Sequence, residues 1–176
     1  MPEEIPSNDN HFQLPGGGIV KVAILTLVIL LVERRLGQAI SWLALLEAAA
    51  RAAPADAQTQ FNVAVGLQSV GRLDDAAEHY RAALALDDRD ADAHTNLGVL
   101  LCERHRYPEA KKHFLRAVEI NPEHVKAYVN LGTLCVETRE YADAIKYSQR
   151  ALDLDPHLPN CRENIEVARR ALGREH

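Results

Sequence analysis

Read as apolar and polar positions, residues 57–172 repeat every 34 residues. With Ala57 as the first position, units begin at Ala57, Ala91, Val125 and Pro159. Position 7 is Val63, Leu97, Leu131 and Ile165, always branched and apolar. Position 8 is small in the three complete units (Ala64, Gly98, Gly132) and Glu166 in the fourth. Position 20 is Ala76, Ala110 and Ala144, position 27 is Ala83, Ala117 and Ala151, and position 32 is Asp88, Pro122 and Pro156. Each unit predicts a helix of roughly 14 residues, a short turn and a second helix of similar length. Leu97, Leu100 and Leu101 form the apolar stripe of one first helix. Pro108 opens a second helix, where its missing N–H costs nothing. Pro122 and Pro156 stop second helices, because the residue before a proline is turned away from the helical region. Small residues at positions 8 and 20 let the paired helices approach closely. One hairpin cannot bury its own apolar face, so stacking of about three units is the minimum for a core.

This 34-residue pattern, with its Asn-Leu-Gly segments at 96–98 and 130–132 and Ala-Leu-Asp-Leu-Asp-Pro at 151–156, resembles the tetratricopeptide repeat (TPR) family. The resemblance covers 57–172 and implies an all-α, right-handed α-solenoid of stacked helix-turn-helix units. TPR 1 is expected at 57–90, TPR 2 at 91–124 and TPR 3 at 125–158. A C-terminal capping helix in 159–176 carries the solvating residues Arg162, Glu163, Glu166, Arg169 and Arg170, and the array is expected to end with it. Three departures predict looser packing in the first and third units. Gln60 stands where an aromatic is usual, Ser148 replaces the aromatic at position 24, and Asp88 replaces proline.

The first 56 residues follow different rules. Residues 1–18 are polar and acidic with three prolines and three consecutive glycines, which reads as a disordered tail. Residues 19–32 are almost wholly apolar and end at Glu33-Arg34-Arg35. Fourteen helical residues span about 21 Å, short of the roughly 30 Å of a bilayer core. Counted from Leu14, the stretch reaches a spanning length but includes Pro15, three glycines and Lys21. As an anchor it would keep the repeats in the cytoplasm through Arg34 and Arg35. A secretory signal fits poorly, because the preceding residues are acidic. A degenerate repeat across 19–56 places Gly37, Ala49 and Pro54 at positions 15, 27 and 32. Its apolar first helix would need cover from lipid, a partner, or a second copy in a homodimer.

Composition narrows the function classes. The net charge is −5 and neither 1–56 nor 57–176 is basic, which argues against a nucleic-acid partner. Aromatics are only 5% of the chain, so the core is built from Ala, Leu and Val, which favours packed helices. Cys102, Cys135 and Cys161 form no C-x-x-C pair and read as buried thiols in a reducing, cytoplasmic setting. Asp87, Asp88, Asp90 and Asp92 cluster at a hairpin connection as a solvated turn. His79 and His113 share position 23, where the family exposes residues on its convex side. No hydrolase, kinase, dinucleotide or zinc-protease motif occurs, so the reading is of a non-enzyme without catalytic residues, metal or cofactor.

Position 6 is asparagine in every unit: Asn62, Asn96, Asn130 and Asn164. First helices line the concave groove in the family, so the resemblance implies an amide ladder there. It is similar in this to the arrays of O-linked N-acetylglucosamine transferases. An amide both donates and accepts, and so pairs with the backbone of an extended peptide. Helices packed about 8–10 Å apart would present one rung to about every third peptide residue, at about 3.3 Å each. The same carry-over puts Phe61, Thr95 and Val129 (position 5), Val65, Val99 and Thr133 (position 9), and Lys126 (position 2) in the groove. Asn96 and Lys126 match the carboxylate-clamping co-chaperone pattern, whereas Phe61, Val65 and Asn130 do not. The expectation is a protein-interaction scaffold that holds an extended peptide or a partner helix. The alternatives are a membrane-anchored assembly factor and a recognition subunit of a glycosyltransferase.

Overall fold

The computed structural model describes residues 54–173, preceded by residues 44, 45, 47, 48, 51 and 52 of an earlier helix. The disordered tail at 1–18, the apolar segment at 19–32 in its anchor, degenerate-repeat and homodimer readings, and Gly37 and Ala49 lie outside the described residues. Among those described, seven complete helices follow one another without a strand. They are α1 (Ala57–Ser69), α2 (Leu73–Leu86), α3 (Ala91–Glu103), α4 (Tyr107–Ile120), α5 (Val125–Glu137), α6 (Tyr141–Leu154) and α7 (Pro159–Leu172). Sequential helices pack as the hairpins α1–α2, α3–α4 and α5–α6, each stacked on the next, with α7 closing on α6 and α5. The result is an all-α helical-repeat solenoid. No described helix is long and apolar enough to cross a membrane.

The turns explain why the chain reverses where it does. Position 15 of each hairpin has a left-handed backbone: Gly71 (φ 80°), His105 (φ 56°) and Arg139 (φ 62°). The next N–H then reaches back to close the first helix, Arg72 to Leu67 O, Arg106 to Leu101 O and Glu140 to Cys135 O, at 2.8–2.9 Å. This is a Schellman ending, which satisfies carbonyls the helix would leave bare. Position 31 ends each second helix. Asp87, Asn121 and Asp155 have extended backbones, and their side chains accept from the N–H two residues on, at 2.9–3.0 Å. That side-chain turn does the work of a helix stop, so the first unit ends its second helix at the same place with Asp88 where the others have proline. Asp56 and Asp90 cap α1 and α3 by accepting from Thr59 N–H and Ala93 N–H, both at 2.9 Å.

The core runs along the seam inside each hairpin. Val63, Leu97 and Leu131 at position 7, and the alanines at positions 20 and 27, are at most 2% exposed. Position 8 decides how near the helices come. A Cβ added to Gly98 would lie 2.5 Å from Phe114 Cε1, and one added to Gly132 would overlap Ser148 Oγ. The expected loosening of the first and third units is not found. Gln60 is 6% exposed, donating to Pro54 O (3.2 Å) and accepting at 2.7 Å from the His79 ring. Ser148 is fully buried against Gly132, because a small residue opposite glycine lets α5 and α6 close the space an aromatic would fill. Its hydroxyl has no hydrogen-bond partner among the described residues.

Candidate functional site

Position 6 follows one first helix into the next. Asn62 is exposed and its Oδ1 accepts from Gln58 Nε2 at 3.1 Å. Asn96, Asn130 and Asn164 are half-buried. Asn164 Nδ2 donates to Thr133 Oγ1 of the previous unit at 3.1 Å, and that hydroxyl donates to Val129 O at 3.1 Å. The residues in the place of Thr133 one and two units earlier are Val99 and Val65, which can accept nothing. Thr133 therefore ties up the last rung, a contact that Asn130 and Asn96 lack. Asn96 also faces the buried Tyr80 of α2. Burial pushes the Tyr80 hydroxyl up to about 12, and the Asn96 amide acts in the opposite direction. Tyr80 donates to Gln68 Oε1 at 2.8 Å.

Six of the eleven groove residues named from sequence line one cavity of about 400 Å³: Thr95, Asn96, Val99, Lys126, Val129 and Asn130, joined by Val125 and Leu158. Thr133 lines a smaller adjoining cavity of about 140 Å³ together with Val99 and Asn130. Phe61, Asn62, Val65 and Asn164 lie outside both. Phe61 is packed edge-on to Tyr80 (5.7 Å between centroids), and Val65 is 42% exposed. Thr95 is buried rather than open. Its hydroxyl donates to Ala91 O (2.8 Å) and accepts from His124 Nε2 (3.0 Å). Lys126 is the one cation lining the larger cavity, and Leu158, contributed by the connection before α7, was not foreseen.

His79 and His113 are not convex surface residues. Both are half-buried inside hairpins, His79 on Gln60 and His113 on His94. A 34-residue step compares like positions and hides this pairing. The signal that reveals it is a 19-residue offset joining position 4 to position 23, Gln60/His79 and His94/His113, with tyrosines at the same two positions of the third unit (Tyr128/Tyr147).

Cys135, Glu140 and Asp143 converge at the α5–α6 turn with metal-ligand chemistry. Lys111 of α4 already bonds Glu140 and lies 3.6 Å from Asp143. Burial pushes the Cys135 thiol up to about 11, so it stays protonated and neutral. The cluster is an ion-paired clamp between adjacent units. Cys102 is likewise pushed up by burial to about 11, which makes it a poor nucleophile.

The tetratricopeptide repeat family model matches residues 89–157, and a second, described as TPR repeat, matches 69–103. The chain belongs to the tetratricopeptide repeat family. As a TPR protein it carries a protein-interaction module, a class that is generally non-catalytic. Among solved structures it is similar to MamA at 21% identity, covering 80% of this chain and 82% of that one with a TM-score of 0.74. It is also similar to YrrB, described as a TPR protein with an unusual peptide-binding site. That match has 30% identity, covers 68% of this chain and 62% of that one, and has a TM-score of 0.63. The first TPR of Spaghetti (RPAP3), bound to the HSP90 peptide SRMEEVD, matches at 20% identity over 67% of this chain and 94% of that one, TM-score 0.65. No curated protein matches the TPR chain by sequence.

Proposed function

We propose that this TPR protein binds an extended polypeptide segment along its concave face, with Asn96 and Asn130 as paired backbone contacts. The observation that carries the reading is the cavity shared by these two amides, walled by Val99, Val125, Val129 and Leu158. Apolar walls with a few placed polar groups are what a peptide site requires. Each amide reads one backbone N–H and C=O, and the valines accept small apolar side chains between the rungs. Lys126 adds one positive charge at the edge, favouring a segment with an acidic residue there. A lone cation does not make a carboxylate clamp. The peptide-binding site named for YrrB supports the reading by similarity.

The test is a crosslinked pull-down with the full chain beside an Asn96→Ala/Asn130→Ala variant that retains its helical circular dichroism. Loss of the same partners from the variant supports groove binding. Unchanged partners would make these asparagines structural and move the search away from the groove.

A further inference from the structure

Across the second hairpin, His94 of α3 and His113 of α4 meet Nδ1 to Nδ1 at 2.9 Å, with ring centroids 5.2 Å apart. A hydrogen bond between two ring nitrogens needs one N–H and one lone pair. His94 Nε2 lies 3.2 Å from the Asp88 carbonyl oxygen, which only accepts. Nε2 therefore carries the His94 proton, His94 Nδ1 accepts, and His113 Nδ1–H donates. One added proton is tolerated, because His94 then donates from both nitrogens and His113 moves its proton to Nε2. A second added proton leaves two N–H groups and two positive charges face to face, and the contact is lost.

We propose that the His94–His113 seam is an acid-sensitive latch on the central hairpin, closed while the pair holds at most one extra proton and opened by the second.

The surroundings bear on both rings. Burial is the largest influence and holds each below the ordinary imidazole range. Arg116 of α4 works against charge on His94, and Arg81 of α2 against charge on His113. Asp88 and Asp90, before α3, favour charge on His94, and Glu109 of α4 favours it on His113. From the α5 side, His124 reaches Thr95 rather than the pair and lies 3.7 Å from Asp92. Bases whose folded affinity for protons is depressed stabilise the fold fully above their unfolded pKa and lose that contribution as pH falls below it. The unfolded chain takes up two protons near pH 6.5, whereas the closed pair takes at most one. Each excluded proton weakens the folding equilibrium about tenfold per pH unit below that point.

The neighbouring hairpins supply the controls. In the first, Gln60 Oε1 accepts from His79 Nδ1 at 2.7 Å, a contact that a protonated His79 still makes. The third has tyrosine at both positions. The experiment is urea unfolding of the full chain, followed by circular dichroism at pH 6.5 and 5.5, beside His94→Tyr/His113→Tyr. The expected result is that the folding constant of the wild type falls about fivefold more than that of the variant over this interval, because an unfolded histidine is already half protonated at about pH 6.5. Parallel losses would overturn the latch. If the tyrosine pair does not fold, His94→Gln, which recreates the Gln60–His79 contact, replaces it with the same expected difference. Imidazole nitrogen NMR gives an independent reading. Nε2–H on His94 and Nδ1–H on His113 at neutral pH support the latch, and two rings titrating independently near 6.5 would overturn it.

Discussion

Replacing Gly132 with alanine should destabilise the third hairpin, and removing the Ser148 hydroxyl should reverse the sign of that effect. The new Cβ would overlap Ser148 Oγ, whereas Ser148 Cβ and backbone N would each lie 3.4 Å away, a tolerable contact. Alone, Gly132→Ala gains about 1 kcal/mol in helix propensity and costs about 1–3 kcal/mol in overpacking. The net is a loss of about 1 kcal/mol. Ser148→Ala removes a fully buried hydroxyl that has no partner among the described residues, and should stabilise by about 1 kcal/mol. In that background the Gly132→Ala clash is gone and the propensity gain remains, so the coupling between the two sites is about 2 kcal/mol. Urea unfolding of the four proteins measures it, with hydrogen exchange on α5 and α6 in case the array does not melt as one unit. A coupling under about 0.5 kcal/mol would refute the claim that this one oxygen sets the approach of the two helices.

Gly98→Ala should have no comparable rescue, because its Cβ would strike the Phe114 ring at 2.5 Å, and a loss of about 2 kcal/mol in urea midpoint analysis is expected. Arg139→Gly should stabilise by about 0.5–1 kcal/mol by relieving a left-handed backbone at φ 62°, and an unchanged or lower thermal midpoint would count against this. Asp90→Ala should cost about 1 kcal/mol and raise amide exchange in the first turn of α3, where its carboxylate accepts from Ala93 N–H. Cys135 and Cys161 should resist Ellman's reagent at pH 7 until urea is added, since both are buried and burial pushes both thiols up. Rapid reaction of either in the native protein would contradict their burial.

The repeat was legible because its cause is periodic. Positions 7, 20 and 27 face the same seam in every unit, so a 34-residue step finds Val63, Leu97 and Leu131, and the paired alanines. The groove was partly legible for the same reason, since Asn96 and Asn130 hold the same position on adjacent first helices and Val99, Lys126 and Val129 lie within a turn of them. What stayed hidden depends on contacts between unlike positions. His94 meets His113 across a hairpin, and Thr133 meets Asn164 across a unit boundary. The left-handed turn was hidden because only Gly71 advertises it, while His105 and Arg139 carry the same backbone by tertiary insistence. The acidic run at Asp87 marks a turn in the sequence, but the side-chain bonds that Asp87, Asn121 and Asp155 make to the N–H two residues on depend on an extended backbone that composition does not specify.

The seam at positions 4 and 23 also bears on how the chain avoids misassembly. Hairpins with the same backbone invite a first helix to dock on the second helix of the wrong unit, or of a neighbouring molecule. His94 docked on α6 would meet Tyr147, whose hydroxyl sits a ring's length farther from the backbone, and the 2.9 Å nitrogen contact could not form. The His94–His113 contact thus disfavours docking of α3 on the tyrosine-bearing second helix of the next unit, one local difference in an otherwise uniform array.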